Sequence, residues 1–274
     1  MEINGNTRLF AILADPIRQV KTPQAINRMM RELGVNGVMV PMHVGASDLV
    51  ACFAALRCIK NLGGFIATVP HKQAIAKLCD QVSDAASAVG AVNVVRRHAD
   101  GRMVGDILDG QGFVHGLREH GIEPEGKRVF LAGAGGAACA IAFALAQAGV
   151  EHLGIHNRTS SKVSELMARL RDHHVNLSVS AADASPKGFD LIVNATSLGM
   201  NANDPLPLDG GAITPDQVVA DIIMSPEVTP LLALARTRGC KVQFGAPMLK
   251  AQIALMAQFM GATETVVEGD DVDV

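Results

Sequence analysis

The run Arg128-Val129-Phe130-Leu131-Ala132-Gly133-Ala134-Gly135-Gly136-Ala137-Ala138 constrains this chain most. Apolar residues lead into a glycine turn, and the turn leads into small residues. Strand, tight turn and helix in that order present bare backbone N–H groups at the positive end of a helix, where a pyrophosphate binds. Gly133, Gly135 and Ala138 fit the pattern G-x-G-x-x-A. Gly133, Ala134, Gly135, Gly136 and Ala137 are therefore the candidate phosphate contacts.

A second strand follows about 20 residues on, where a ribose is read in such proteins. It is Glu151-His152-Leu153-Gly154-Ile155-His156, followed by Asn157-Arg158-Thr159-Ser160-Ser161-Lys162. An NAD site places Asp or Glu at this strand's end to accept from the free ribose hydroxyls. None stands there. Asn157, Arg158, Thr159 and Lys162 form a cationic, hydroxyl-rich group instead, and the planar fork of Arg suits a phosphate dianion. The expected cofactor is NADP(H). The competing reading of Arg158 is a solvated side chain at a helix start.

The remaining composition excludes more than it selects. The 274 residues allow one large domain or two small ones, and nearly half are hydrophobic. A net charge of −3 gives no reason to expect nucleic acid or an anionic membrane as partner. Five Cys with no C-x-x-C pair fit reduced thiols and a cytoplasmic location. Cys139 reads as packed in its helix, and Cys52 and Cys58 as core and boundary residues. The N-terminus lacks the blocks of a signal peptide. The nine His show no metal-ligand spacing, so no metal is expected. His71 reads as a structural hydrogen-bonding group and His173-His174 as surface. The acidic stretch Glu268–Val274 is given no function.

Alternating patterns organise the chain. Leu9–Leu13, Val38–His43 and Phe65–Val69 read as strands. Thr22-Pro23 reads as a capped helix start, Ala46–Ile59 as a helix capped by Ser47, and Gly63-Gly64 as a break. Pro70-His71-Lys72 starts another helix. Ala91–Arg96 and Met103–Ile107 read as paired strands about an Asp100-Gly101 turn. From Asp109 the pattern is regular βα: helices at 110–120, 137–147, around 163–170, after Thr229-Pro230 and at 248–260. The strands between them are 129–132, 191–193, 218–223 and 241–244. Such alternation implies an α/β fold with a parallel sheet covered on both faces.

Several segments resemble the shikimate dehydrogenase family, in the same order and over nearly the whole chain. They are Asp15-Pro16-Ile17 with Thr22-Pro23, Thr68-Val69-Pro70-His71-Lys72, Gly90-Ala91-Val92-Asn93, Gly105–Phe113, the Gly133 loop and Asn157-Arg158-Thr159. Asn194-Ala195-Thr196-Ser197-Leu198-Gly199-Met200, Thr229-Pro230-Leu231-Leu232, and Gly245 with Met248-Leu249 and Gln252 complete the set. The resemblance implies an N-terminal α/β substrate domain, 1–106 with 246–274 returning to it, and a doubly wound Rossmann-type NADP-binding domain, 107–245. The active site would lie in the cleft between them. It implies Lys72 and Asp109 as the catalytic pair. It also implies Thr196, Ser197, Met200, Gly245 and Met248 beside the nicotinamide, near Met224. Lysine at a helix start can give or take the proton that accompanies hydride transfer. As bland alternatives, Lys72 is a surface lysine and Asp109 a helix cap.

The chain also departs from that family. Val20 and Thr22 stand for a Ser-x-Ser pair, Ile66 for an Asn, Met224 for a Tyr and Leu108 for a Thr. Thr68, Asn93 and Gln252 match. A substrate hydroxyl buried against Val20, Ile66 or Met224 would be unpaired, at ~1–3 kcal/mol each. Arg18 and Lys21 flank the missing Ser; they either bind a carboxylate or point to solvent. The reaction implied is reversible hydride transfer between NADP(H) and an alcohol or ketone of a cyclic hydroxy carboxylate, shikimate or a less hydroxylated analogue. A fully active housekeeping shikimate dehydrogenase and a non-catalytic nucleotide-binding regulator are the other two readings. The sequence permits a homodimer.

Overall fold

The computed structural model describes residues 2–201 and 203–264; the acidic stretch Glu268–Val274 lies outside them. The chain divides into two compact units. Asp109–Gln252 is one, and the segments before and after it make the other.

The first unit runs β1 (Arg8–Ala14), α1 (Thr22–Glu32), β2 (Gly37–His43), α2 (Leu49–Cys58), β3 (Leu62–Ala67), α3 (Lys72–Leu78), β4 (Gln81–Val82), α4 (Asp84–Val89), β5 (Val94–Arg97) and β6 (Met103–Asp106). Its sheet has the order β2-β1-β3-β5-β6-β4. The first three strands are parallel; β5 is antiparallel to both neighbours, as expected for a hairpin turning at Asp100-Gly101. Phe10, Ile12, Ile26, Met30 and Ile66 form one buried cluster, closed by Met256, Ala257 and Met260 from the end of the chain.

Four local readings change here. Thr22 is the first helical residue of α1, with Lys21 at the cap and no side-chain cap bond. Pro23 already fixes the first turn, so the helix forms without that bond. Asp48, not Ser47, precedes α2, and the Ser47 hydroxyl donates to it at 3.2 Å. Gly63 and Gly64 do not break the chain but lie inside β3, which is buried throughout. The register between β1 and β3 slips at this point, so Gly63 is the extra residue of a bulge. A Cβ on Gly64 would fall 2.2 Å from the Val95 carbonyl oxygen. Glycine is needed for close approach of the strands, not for a turn. Cys52 is half-buried rather than in the core, and Cys58, at the end of α2, is exposed rather than at the boundary.

The second unit runs α5 (Asp109–Glu119), β7 (Arg128–Ala132), α6 (Gly136–Gln147), β8 (His152–His156), α7 (Ser160–His173), β9 (Ser178–Ala181), β10 (Leu191–Asn194), β11 (Val218–Asp221), α8 (Pro230–Thr237), β12 (Lys241–Gln243) and α9 (Gly245–Phe259), whose last turns pass into the first unit. The sheet order is β12-β11-β10-β7-β8-β9, parallel throughout. That is the doubly wound arrangement in which the strand order reverses between the first and fourth strands, here β7 and β10.

Alanines and other small residues let α6 lie flat: Ala138 through Leu145 are all buried. A Cβ on Gly110 of α5 would meet the Ala140 carbonyl oxygen at 2.0 Å, so that glycine sets the spacing of the two helices. No described helix is long and apolar enough to cross a membrane.

Candidate active site

At the β7–β10 switch, β7 is followed by Gly133, whose φ of 120° lies outside the range of most side chains. Its N–H donates to the His156 carbonyl at 2.8 Å, and a Cβ there would approach the Ala195 carbonyl oxygen to 2.8 Å. The next residues are the opposite case. Gly135 caps α6 with no side-chain bond to the first-turn N–H groups. Nothing lies within 4 Å of a Cβ on Gly135 or Gly136, and both are exposed. Ala134 is buried and Ala137 half-buried. Open space over an uncapped helix N-terminus is what a pyrophosphate requires.

Beyond β8, Arg158, Thr159 and Lys162 are exposed, and Asn157 is half-buried with its amide donating to the Thr159 carbonyl at 3.1 Å. The donors at this strand end are cationic, so the residues present fit a phosphorylated ribose better than a free diol.

The segment after β10 is more firmly held than its sequence suggests. Asn194 is fully buried. Its Oδ1 accepts from the Thr196 N–H at 3.1 Å and from the Thr196 hydroxyl at 2.7 Å. Its Nδ2 donates to the Leu198 carbonyl and to Asp221 Oδ2, both at 3.0 Å. The Thr196 hydroxyl also accepts from the Leu198 N–H at 3.0 Å, so it is engaged in the loop itself. Ser197 and Met200 are exposed, and so is Met224 after β11. Gly245 is buried: a Cβ there would meet the carbonyl oxygens of Ile223 at 2.6 Å and Ile222 at 2.8 Å. Met248, one turn on, is half-buried.

Asp221 is the residue that the motifs do not name. It is 1% exposed at the end of β11. Burial raises its pKa, and the bonds from Asn194, the Ile223 N–H and the Thr229 hydroxyl act the other way. A carboxylate inside the apolar run Val218–Ile223 was the available signal, since a buried carboxylate must be hydrogen-bonded.

Asp109 opens α5 and is buried. The Gln252 amide donates to its carboxylate. Two glycines of α5 make room for that approach: a Cβ on Gly112 would meet Gln252 Cβ at 2.9 Å, and one on Gly116 would meet the Met248 nitrogen at 3.0 Å.

In the first unit Lys72 is the first residue of α3 and half-buried. Its carbonyl accepts from the Val92 N–H at 2.9 Å, next to Asn93. Thr68 is half-buried, and its carbonyl accepts from the His71 N–H at 2.8 Å. His71 is buried, and its Nε2 donates to the Val44 carbonyl at 2.8 Å, a structural bond as expected. Asn93 is 1% exposed and accepts the Leu108 N–H. Ile66, 3% exposed, Leu108, 4% exposed, and Val20 share the apolar cluster, so three of the aliphatic replacements lie in one environment. Thr22 is half-buried; Arg18 and Lys21 are exposed.

A doubly wound sheet with a bare helix N-terminus at its switch point, and a cationic strand end beside it, defines a dinucleotide-binding protein. Residues 12–95 match the shikimate dehydrogenase substrate binding domain, and residues 118–201 match shikimate / quinate 5-dehydrogenase. A shikimate dehydrogenase (NADP(+)) of Rubrobacter xylanophilus is 39% identical over 91% of this chain and 89% of its own. The crystal structure of shikimate 5-dehydrogenase from Listeria monocytogenes, in complex with shikimate and NAD, overlays with a TM-score of 0.88 at 29% identity, covering 96% of this chain and 93% of that one. Ligand-free 5-ketofructose reductase of Gluconobacter sp. strain CHM43 overlays with a TM-score of 0.85 at 30% identity, covering 95% and 97%. The chain belongs to the shikimate dehydrogenase family.

Proposed function

We propose that this chain is an NADP-dependent oxidoreductase acting reversibly on a secondary alcohol or ketone of a cyclic hydroxy acid, either shikimate and 3-dehydroshikimate or a less hydroxylated analogue. The observation that carries the cofactor is the open, uncapped start of α6 followed by Arg158 where a carboxylate would read NAD. Gly133–Ala137 would hold the pyrophosphate, and Arg158, Thr159 and Lys162 the ribose phosphate. When bound, NADPH supplies the hydride. Lys72 then gives the proton that the carbonyl oxygen needs, and takes it back in the oxidising direction. Asp109 is the proposed carboxylate partner in that proton transfer, and Gln252 fixes the carboxylate's orientation.

Substrate choice follows from Val20, Ile66 and Met224. An unpaired hydroxyl buried against Val20 or Ile66 would cost ~1–3 kcal/mol, so a ring with fewer hydroxyls is favoured over shikimate. Full shikimate dehydrogenase activity is the second reading, and the 39% identity to the Rubrobacter enzyme favours it. Nicotinamide absorbance, followed with shikimate, quinate and simpler cyclohexene and cyclohexane carboxylates, separates them. Better turnover of a simpler acid supports the first reading and fast shikimate oxidation the second. Cofactor binding without turnover of any of them overturns both. The free thiols of Cys52, Cys58, Cys79, Cys139 and Cys240 support a cytoplasmic location.

A further inference from the structure

The proposed ring-side residues come from three separate segments of the second unit: Thr196–Met200 after β10, Met224 after β11, and Gly245 with Met248 at the start of α9. One buried group ties these segments together. Asp221 Oδ2 accepts from Asn194, whose other bonds shape the first segment. Its Oδ1 accepts the Ile223 N–H at 3.0 Å, fixing the second. Its Oδ2 also accepts the Thr229 hydroxyl at 2.8 Å, and that hydroxyl accepts the Leu232 N–H at 3.3 Å, so the start of α8 is joined in.

The segments also touch directly. A Cβ on Gly199 would lie 3.3 Å from Ile223 and 3.4 Å from Thr229. The third segment rests on the second, because Gly245 packs on the Ile222 and Ile223 carbonyls. Asn194, Asp221 and Thr229 are each no more than 1% exposed.

We propose that Asp221 is a positioning residue for hydride transfer, holding these segments in the one arrangement that orients the nicotinamide ring. This rests on the oxidoreductase reading above. Asp221 lies on the strand below the loops and acts through Asn194, Ile223 and Thr229. Its loss should therefore disturb the ring end of the cofactor and leave the phosphate end at α6 and Arg158 unchanged. A misplacement on the ångström scale costs up to about 10²-fold in such a reaction.

The test compares Asp221→Asn, Thr229→Val and Thr229→Ser with the wild-type chain, using NADPH titration, kcat and KM, and the primary deuterium isotope effect with NADPD. Asp221→Asn and Thr229→Val should each lower kcat by about 10–100-fold, raise the isotope effect, and leave NADPH affinity near the wild-type value. Thr229→Ser keeps the bond to Asp221 and should restore turnover. Thr229→Val supplies the answer if Asp221→Asn does not fold. Wild-type kcat in both variants overturns the positioning role alone. Parallel losses of NADPH affinity and kcat, unrelieved by Thr229→Ser, show a merely structural role and overturn it too. No turnover by the wild-type chain of any of the acids named above overturns the functional reading and this role with it.

Discussion

Asn93 Oδ1 accepts the backbone N–H of Leu108 at 3.0 Å. Asn93 stands before β5 and Leu108 before Asp109, so one side chain fixes the backbone that leads into the proposed catalytic carboxylate. Both residues are buried. Asn93→Ala leaves the Leu108 N–H without this acceptor and is expected to destabilise the chain by ~1–3 kcal/mol in urea denaturation. An unchanged midpoint would show that the bond is not made in solution.

Lys72→Met is expected to keep the thermal midpoint and NADPH affinity while lowering kcat by ~10²–10⁴-fold, the usual contribution of a proton-transfer group. Near-normal turnover with the preferred acid would remove Lys72 from the chemistry.

Arg158→Ala should discriminate between cofactors. Loss of charge-assisted bonds to a phosphate costs about 1.5–3 kcal/mol, which is ~10–100-fold in NADPH affinity. NADH affinity should hardly change. Equal losses for both cofactors would contradict the ribose-phosphate assignment.

Gly133 and Gly135 should respond differently to the same change. Gly133→Ala forces a side chain into a φ of 120° and against Ala195, and is expected to destabilise the fold by ~1–3 kcal/mol. Gly135→Ala places its methyl in open space, so the melting temperature should hold while NADPH binding weakens. Paired melting curves and NADPH titrations check this; undiminished binding in Gly135→Ala would argue against phosphate approach at that turn.

Asp80 accepts from the Arg57 guanidinium at 2.6 Å and from the Met103 N–H at 2.7 Å, and these bonds hold its carboxyl below the usual carboxylate range. A depressed carboxylate stabilises the fold above its ordinary pKa and loses that effect as pH falls through its folded value. The pair is about one-third exposed, so Asp80→Asn should cost only ~1 kcal/mol at neutral pH. The difference from wild type should vanish in acid. A difference that persists there would mean that the charge is not its source. Urea midpoints across a pH series decide it.

The glycine loop and the Arg158 strand end were legible because they are local: a strand, a turn and a helix declare themselves through adjacent residues. The Gly63-Gly64 strand was not, because its cause is the approach of Val95 and Phe10 from elsewhere in the chain. The strands β4 and β9 escaped for a related reason. Gln81–Val82 and Ser178–Ala181 have little apolar character and exist by pairing with β6 and β8. Asp221 was visible as a carboxylate in an apolar run, but its partners Asn194 and Thr229 belong to other elements, and only the fold brings them together.

The cluster around Phe10, Ile12 and Ile66 needs Met256, Ala257 and Met260 to close. A ribosome delivers those residues after the whole of Asp109–Gln252. The first unit therefore cannot close this cluster until the nucleotide-binding unit has been synthesised. Vectorial synthesis leaves the part that emerges first waiting on residues made much later.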